Sequence, residues 1–511
     1  MYAAEHARTN PDKPAIIMAG SGEVITYADY EARANQAAQL LRGLGLKPLD
    51  HIALVMYNTP TYITCKGAAE RAGLRYVCVN SHLKVDEIAY IINDSESRVA
   101  FIGSELLEIA RELPAACPNV ERWIISEAGD LEAPFESFEE LIAPYPKEPI
   151  EDERLGVALL YSSGTTGRPK GIARPLPEGH PRDTLPVYAF TDMIFRLTAD
   201  MTYLSSAPLY HSAPHSALSG AIRLGVTSVV MERFDPEQFL ALVEKYKITT
   251  TQVVPTMLAR IMRLPEEVLS SYDVSTLKTV VHGAAPCPPQ LKQAIIDRWG
   301  PVMYEYYGAT EGHGFTMSDS EEWLARPGTV GKAVLGELVI RDEDGNDCPP
   351  GKEGVIWFRG ATNFYYKGDP ERTAEATDED GAMATVEDVG YLDEDGYLYL
   401  TDRKTHMIIS GGVNIYPQEV EDLILSHPEI LDAAVIGVPD DDLGEQVKAV
   451  VIRTASDKSD ADLERELIDY CIERAARFKC PRTVEFVAEL PRTPAGKLQK
   501  KALRATYWPA K

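Results

Sequence analysis

Short apolar runs of β-rich character alternate with helix-period stretches through the first half of this 511-residue chain, and that alternation limits the available folds more than any other feature. His51–Tyr57, Leu74–Asn80 and Arg98–Gly103 read as strands, while Tyr30–Leu41 places Ala34, Ala37, Ala38 and Leu41 on one helical face. A second series runs Thr227–Met231, Ile248–Val254, Leu277–Gly283 and Val302–Tyr307, with helices expected over about 235–246, 255–263 and 288–299. A strand that returns by way of a helix lies parallel to its predecessor, so the pattern predicts crossover units and largely parallel sheets. From about residue 334 short strands are punctuated by turns, Asp342-Glu343-Asp344-Gly345 and Asp393-Glu394-Asp395-Gly396. These acidic runs lack the twelve-residue ligand spacing and closing Glu of a calcium loop, and Asp-Gly hairpin turns explain them better. The last hundred or so residues read as a separate α+β module, with helices near 417–426 and 460–476 and strands near 432–438, 446–453 and 483–488. The expected fold class is therefore α/β, a large N-terminal domain of crossover-built sheets with helices plus a small β-rich subdomain, followed by a small α+β C-terminal domain.

Composition narrows the function classes. Hydrophobic residues make up 45% and charged residues 25%, ordinary globular usage that excludes disorder and collagen-like structure. Lys plus Arg number 51 against 78 Asp plus Glu, a net charge of -27, and no basic run stands against it. Such a surface repels phosphate backbones and anionic lipid, so nucleic acid is not an expected partner. Apolar stretches such as Ala433 to Val438 fall far short of the ~20 residues that span a bilayer, so integral membrane association is not expected either. Met1-Tyr2-Ala3-Ala4-Glu5 lacks a basic stretch followed by an apolar core, so no secretory signal is expected from it. The seven cysteines are scattered and form no CxxC pair, which points to a reducing, cytoplasmic setting without a disulfide framework or zinc site. Oligomeric state leaves no mark in the sequence; a homodimer is the default expectation.

The most informative segment is Tyr161-Ser162-Ser163-Gly164-Thr165-Thr166-Gly167-Arg168-Pro169-Lys170-Gly171, directly after the apolar run Val157–Leu160. Its glycines allow close backbone approach, its N–H groups and hydroxyls can surround a polyphosphate, and Lys170 adds positive charge. It is not a Walker loop, because Pro169 stands where the second Gly belongs and Lys170 is followed by Gly171 rather than Ser or Thr. A flexible linker is the alternative, although a linker has no need of a Pro-Lys-Gly ending after a buried strand.

This segment resembles the phosphate loop of the adenylate-forming superfamily, which includes acyl-CoA synthetases, luciferases and the adenylation domains of peptide synthetases. Further segments similar to that family's motifs follow in order: Pro208-Leu209-Tyr210-His211, His282-Gly283-Ala284-Ala285-Pro286, Tyr304-Glu305-Tyr306-Tyr307-Gly308-Ala309-Thr310-Glu311, Asp388-Val389-Gly390-Tyr391 with Thr401-Asp402-Arg403, Ser410-Gly411-Gly412-Val413-Asn414-Ile415-Tyr416-Pro417, and Pro491-Arg492-Thr493-Pro494-Ala495-Gly496-Lys497. The segment from Ile408 to Pro417 and the free-standing architecture lean toward the fatty-acyl, bile-acid or aryl-acid CoA ligase-like branch.

The resemblance implies an ATP-dependent acyl-CoA synthetase. A carboxylate is a poor acyl donor; attack on the α-phosphate of ATP makes an acyl adenylate whose leaving group is AMP, and CoA then takes the acyl group. Because the first step gathers anions, positioning and charge stabilisation carry the catalysis. By resemblance Lys497 bridges the acid carboxylate and the α-phosphate, Glu311 ligates Mg²⁺ with Thr310 on phosphate, and Ser162, Ser163, Gly164, Thr165, Thr166, Gly167 and Lys170 surround the polyphosphate. Gly283, Ala284 and Ala285 lie along the adenine; Glu305, Tyr306, Tyr307 and Gly308 belong to the separate adenine-stacking and magnesium motif, where Tyr307 stacks; Asp388 and Arg403 hold the ribose. His211 is the gate near the carboxylate and thiol tunnel. The C-terminal domain, residues 403–511, rotates on the N-terminal domain, residues 1–402, so that Gly411 and Gly412 line the pantetheine channel during thioester formation.

Ordinary readings stay open beside these: a core tyrosine for Tyr307, an exposed carboxylate for Glu311, a packed histidine at a strand end for His211, a packing role for His282. Ser212, Ala213, Ser216, Ala217 and Gly220, with Ala284 and Ala285, suit either a roomy acyl pocket or helix packing. Lys479 is either a CoA phosphate contact or a solvated charge. Two departures from the family pattern stand out, Thr405-His406 at the pivot and Glu387 where Gly is frequent. The other functional readings are an enzyme that loads a carrier-protein thiol, a luciferase-like oxygenase, and a nucleotide-binding regulator without catalysis.

Overall fold

The computed structural model describes residues 2–508 apart from 127–130, 163–168, 177, 184–192, 361–363, 404–405, 411–412, 416, 441–442, 456–457, 476 and 494–497. The chain divides into two compact units, and it passes between them more than once. The first comprises Met1–Val253, Arg260–Val281 and Asn363–Thr373; the second comprises Val254–Ala259, His282–Thr362 and Ala374–Lys511.

In the first unit, the strand order of one sheet is Tyr365–Tyr366, Lys170–Ala173, Val157–Ser162, Arg75–Cys78, His51–Val55, Val99–Gly103, Arg122–Ser126 and Phe135–Ser137. The six from Val157–Ser162 onward are parallel, as the alternating pattern requires. Covered on both faces, these strands need apolar residues at successive positions, and Val99–Gly103 is buried throughout. Helix Pro60–Arg71 carries the crossover from His51–Val55 to Arg75–Cys78, started by Thr59, whose side chain accepts from Tyr62 N–H, and by Pro60 at its first position. Helix Val85–Asp94 then buries Ile88, Ala89, Ile91 and Ile92 on the way to Val99–Gly103. A second parallel set runs Thr250–Val253, Thr202–Ser205, Thr227–Val230, Pro14–Met18, with Val24–Thr26 antiparallel at its edge.

The expected helix over 30–41 spans Tyr27–Gly43, because Thr26 and Asp29 form a capping box ahead of the apolar stripe. The apolar run at 157–160 extends to Ser162, and Lys170 opens a strand antiparallel to it, paired Leu160 with Ile172 and Ser162 with Lys170. The Gly/Ser/Thr segment therefore joins two antiparallel, directly paired strands.

The second unit is antiparallel in character. Met303–Gly308, Phe315–Asp319 and Lys332–Leu335 run up and down, and Glu337–Arg341, Gly354–Arg359, Asp388–Leu392 and Leu398–Arg403 form a separate sheet. Both acidic turns close as Asp-Gly turns: the Oδ1 atoms of Asp342 and Asp393 accept backbone N–H groups of their own turns, and Gly345 and Gly396 take φ of 80° and 82°. The C-terminal α+β module has strands Val413–Ile415, Ile408–Ser410, Gly444–Arg453 and Ile430–Asp440, with Thr483–Phe486 parallel to Gly444–Arg453. Helices Pro417–Leu425 and Asp460–Ile472 cover it, burying Val420, Ile424, Leu463 and Leu467 against Val435, Val447 and Val451. The helix that begins at Asp460 stops at Ile472, short of the expected 476. Among the described residues no helix is long and apolar enough to cross a membrane.

Candidate active site

The candidate residues fall on both units. In the first, the hairpin stem fixes where the phosphate-loop residues leave and rejoin the sheet. Tyr161 Oη donates to Asp94 Oδ2 at 2.6 Å, anchoring one strand, and Lys170 begins the other. Ser163, Gly164, Thr165, Thr166 and Gly167 lie outside the described residues, as does the side chain of Ser162. The Lys170 side chain is only 15% exposed, with its Nζ 3.7 Å from Asp369 Oδ2.

His211 is not at a strand end. It is the residue before helix Ser212–Leu224, with extended φ and ψ of -88° and 148°, and is half-buried. Its ring packs on Tyr210 at 4.5 Å, Tyr210 on His82 at 6.4 Å, and His82 on Tyr57 at 5.2 Å, an aromatic row that leads into the helix. Of the small residues that follow, Ser212, Ala213 and Ser216 are half-buried on one side of the helix, whereas Ala217 and Gly220 are buried.

One turn after His211, His215 is buried in a polar chain. Tyr76 Oη lies 2.9 Å from His215 Nε2 and donates to Glu70 Oε1 at 3.0 Å, and Lys66 Nζ donates to the same oxygen at 2.7 Å. Burial alone raises the Glu70 carboxyl, but the Lys66 ammonium outweighs it and holds the group near about 2. Burial, with Lys66 adding to it, pushes His215 down to about 3, so its ring is neutral.

In the second unit, strand Met303–Gly308 carries the aromatic motif and pairs antiparallel with Phe315–Asp319, Gly308 opposite Phe315. A turn closed by Gly312 N–H to Ala309 O at 2.9 Å, with Gly312 at φ 65°, places Glu311 within the connection. Glu311 is buried and His313 is fully buried two residues later. Strand alternation sends Tyr306 and Tyr307 to opposite faces. Tyr307 stacks on Phe358 with centroids 6.3 Å apart and planes at 28°, and its Oη donates to Asp388 Oδ2 at 2.8 Å. Asp388 is buried at the start of strand Asp388–Leu392, directly across from Arg403 in the ladder, so the two expected ribose residues are register partners. The Arg403 side chain, and Gly411, Gly412, Thr405 and Lys497 entirely, lie outside the described residues.

Backbone strain collects at two of the motif positions. Glu387 takes φ 63° and Ala284 φ 68°, the left-handed region that side chains disfavour. This accounts for the frequency of Gly at the position Glu387 holds. Beside Ala284, a Cβ on Gly283 would stand 2.9 Å from the Tyr306 ring and from its carbonyl oxygen, so only Gly allows that approach.

Glu305 is already engaged: Lys292 Nζ donates to its Oε2 at 2.7 Å, with the ammonium 5.1 Å above the Trp323 ring and both side chains buried. His282 Nε2 lies 3.9 Å from the same oxygen, and among the described residues neither of its ring nitrogens has a hydrogen-bond partner. Burial, reinforced by Lys292, drives the ring to its neutral form. Lys292, Tyr366, Asp369 and His313 were not legible as site neighbours. For Lys292 a signal existed, a lysine sharing the apolar face of the 288–299 helix with Ile295 and Ile296.

Among the described residues no group of three His, Cys, Asp or Glu side chains could hold a metal by itself. The buried carboxylate of Glu311 fits a magnesium ion that arrives on nucleotide phosphates, because Mg²⁺ commonly takes one or two carboxylates and completes its shell with phosphate and water.

The chain matches the AMP-binding enzyme family over residues 3–366 and the AMP-binding enzyme C-terminal domain over residues 419–497, and it belongs to that family. It is 34% identical over 511 residues to feruloyl-CoA synthase of an Amycolatopsis species, covering 99% of this chain and 98% of that protein. It is 30% identical over 515 residues to the long-chain-fatty-acid–CoA ligase FadD13 of Mycobacterium tuberculosis, covering 98% and 97%. The crystal structure of the anthranilate CoA ligase AuaEII in complex with anthranoyl-AMP superposes with a TM-score of 0.87 at 28% identity, covering 99% of this chain and 97% of that one. The expected α/β fold class is the fold observed.

Proposed function

We propose that this enzyme is an AMP-forming acyl-CoA ligase acting on aromatic carboxylic acids. It consumes ATP, CoA and the acid, and works with Mg²⁺. The observation that carries the reading is likeness over essentially the whole chain to CoA ligases, of which feruloyl-CoA synthase and AuaEII are named for aromatic acids. The half-buried small side chains Ser212, Ala213 and Ser216 after His211 suit a planar ring at the acyl end.

In the first half-reaction a carboxylate oxygen of the acid bonds to the α-phosphorus of ATP, and the bond from that phosphorus to the bridging oxygen breaks, releasing diphosphate. Lys497 holds the two reacting anions together, and Lys170 with the segment Ser162 to Gly167 takes the charge of the departing group. Bound at Glu311, Mg²⁺ supplies charge neutralisation between phosphates. Asp388 and Arg403 grip the ribose; Tyr307 orients Asp388 and presents a ring to the adenine beside Gly283, Ala284 and Ala285. Glu305, fixed by Lys292, keeps the strand carrying Tyr306, Tyr307 and Gly308 in place, and Thr310 meets phosphate. In the second half-reaction the CoA sulfur bonds to the acyl carbon, AMP leaves, and the thiol proton passes to solvent. His211 gates that approach, Gly411 and Gly412 leave room for the pantetheine arm, and the module after Arg403 turns between the two steps. A homodimeric, cytoplasmic enzyme belongs to the same proposal.

Diphosphate release measured over benzoic, cinnamic, short-chain and long-chain fatty acids, with and without CoA, tests this. Turnover should be greatest with the aromatic acids and should yield CoA thioesters. Turnover confined to fatty acids would move the acid class, and acyl transfer only to a carrier-protein thiol would overturn the ligase reading.

A further inference from the structure

Lys170 is not left to solvent. The short segment Tyr365 to Asp369, distant in sequence, lies beside the strand that Lys170 opens: Tyr365 pairs with Ala173, Tyr366 with Ile172, and Lys367 N–H donates to Gly171 O at 2.8 Å. Beyond the strand the chain turns back, Asp369 N–H donating to Tyr366 O at 3.2 Å. That turn sets Asp369 Oδ2 3.7 Å from Lys170 Nζ, while the Tyr366 ring centroid lies 5.6 Å from the same ammonium. From its other side Lys367 Nζ is tied to Asp94 O at 2.6 Å and Glu96 Oε2 at 3.1 Å, so the segment is pinned at both ends of the turn.

Two features make the Lys170–Asp369 contact exchangeable rather than structural. Its 3.7 Å separation exceeds the 2.7–2.9 Å of a charge-assisted hydrogen bond, and Asp369 is 42% exposed. The buried Lys292–Glu305 pair, at 2.7 Å, shows what a committed lysine contact looks like in the same protein. Asp369 is also held independently of Lys170, because its Oδ1 accepts from Arg372 N–H at 2.9 Å at the start of the next helix. The carboxylate therefore stays in place when the ammonium leaves.

We propose that Asp369 is a resting counter-ion for Lys170, an intramolecular stand-in for polyphosphate that ATP displaces on binding and that takes the lysine back as diphosphate departs. Tyr366 is the face along which the ammonium moves. This rests on the reading of Lys170 as a polyphosphate contact. Asp369 is a positioning residue, acting only through Lys170, and its charge lowers ATP affinity.

The test is equilibrium binding of Mg-ATP, with acid withheld so that nothing turns over, to wild type, Asp369→Asn, Lys170→Met and the double variant. Asn keeps the acceptor for Arg372 N–H, and Asp369→Ser, another helix-capping residue, repeats the measurement should the Asn variant not fold. Asp369→Asn should bind ATP about fivefold more tightly at low salt, the scale of one exposed charge pair, with the gain shrinking as salt rises. Lys170→Met should weaken binding, and Asp369→Asn should change nothing further in its background. Weaker or unchanged binding in Asp369→Asn, with Lys170→Met still impaired, overturns the counter-ion and leaves the phosphate contact standing. Full ATP affinity in Lys170→Met overturns the phosphate contact and the proposal with it.

Discussion

Replacing Lys292 with Met removes the ammonium that holds Glu305 in the strand carrying Tyr306 and Tyr307. The side chains of Lys292 and Glu305 are 1% and 8% exposed, and Nζ stands 2.7 Å from Oε2, so water cannot take over the lost contact without local opening. Deleting one member of a buried ion pair costs about 3–5 kcal/mol, because the remaining charge is left without compensation. At about 2–4 °C per kcal/mol for a domain of this scale, the melting temperature should fall by roughly 6–20 °C. Burial already pushes the Glu305 carboxyl up against the opposing pull of Lys292. A carboxyl whose folded-state pKa is raised binds its proton more readily folded than unfolded, so stability falls as pH rises from the unfolded value, about 4.3, toward the raised one. Without Lys292 the folded value climbs further and the window widens upward. The deficit of Lys292→Met should therefore be smaller at pH 5 than at pH 8, and adding Glu305→Gln, which removes the charge, should recover a large part of it. Thermal scans of the four proteins at both pH values form a double-mutant cycle. A loss under about 1 kcal/mol, a loss equal at the two pH values, or no recovery in the double variant would each refute the reasoning.

Three further outcomes are expected. Glu387→Gly removes a side chain from φ 63° and should raise stability by about 1 kcal/mol, read as a melting temperature higher by a few degrees, whereas Glu387→Ala should not. Asp388→Asn should weaken ATP binding about tenfold or more and Tyr307→Phe by less, with the double variant close to Asp388→Asn because the two act as one group; simple additivity in equilibrium binding would show them independent. His215, neutral at about 3 in the fold against about 6.5 unfolded, contributes stability that is complete above pH 6.5 and is lost as pH falls, about 2 kcal/mol by pH 5. His215→Gln should flatten that part of the stability–pH curve, and an unchanged slope would remove His215 from the account.

Periodicity carried the strands and helices of the sheets because each is a local pattern with one buried face or two. His51–Val55, Val99–Gly103 and Thr227–Val230 stand within a residue or two of their expected places, and so do Ile430–Asp440, Gly444–Arg453 and Thr483–Phe486, whereas Ile408–Ser410 and Val413–Ile415 were not expected as strands. What periodicity could not carry is pairing across long separations. Nothing local to Tyr365 and Tyr366 announces that they extend the sheet beside Lys170–Ala173, since the pairing is set by backbone edges nearly two hundred positions apart. The same holds for Tyr307 and Asp388, joined by one hydrogen bond although separated by 81 positions. Charge was harder still: Lys292 shares an apolar helix face, but its pairing with Glu305 becomes visible only once helix and strand are packed. Glu387 stands out in the sequence only as a departure where Gly is frequent, and its φ of 63° supplies the physical reason.

The stitching of Tyr365 and Tyr366 onto Lys170–Ala173 bears on how the protein can be cut. A truncated clone ending near residue 360, tempting because it keeps the glycine-rich hairpin and both parallel sheets, would leave the Lys170–Ala173 edge bare of hydrogen-bond partners. Exposed edges of that kind recruit strands from neighbouring molecules, so such a fragment should aggregate on expression. Extending the same clone through Thr373 would seal the edge with its own residues, and the comparison of the two yields would show how far residues 361–373 keep the first unit soluble.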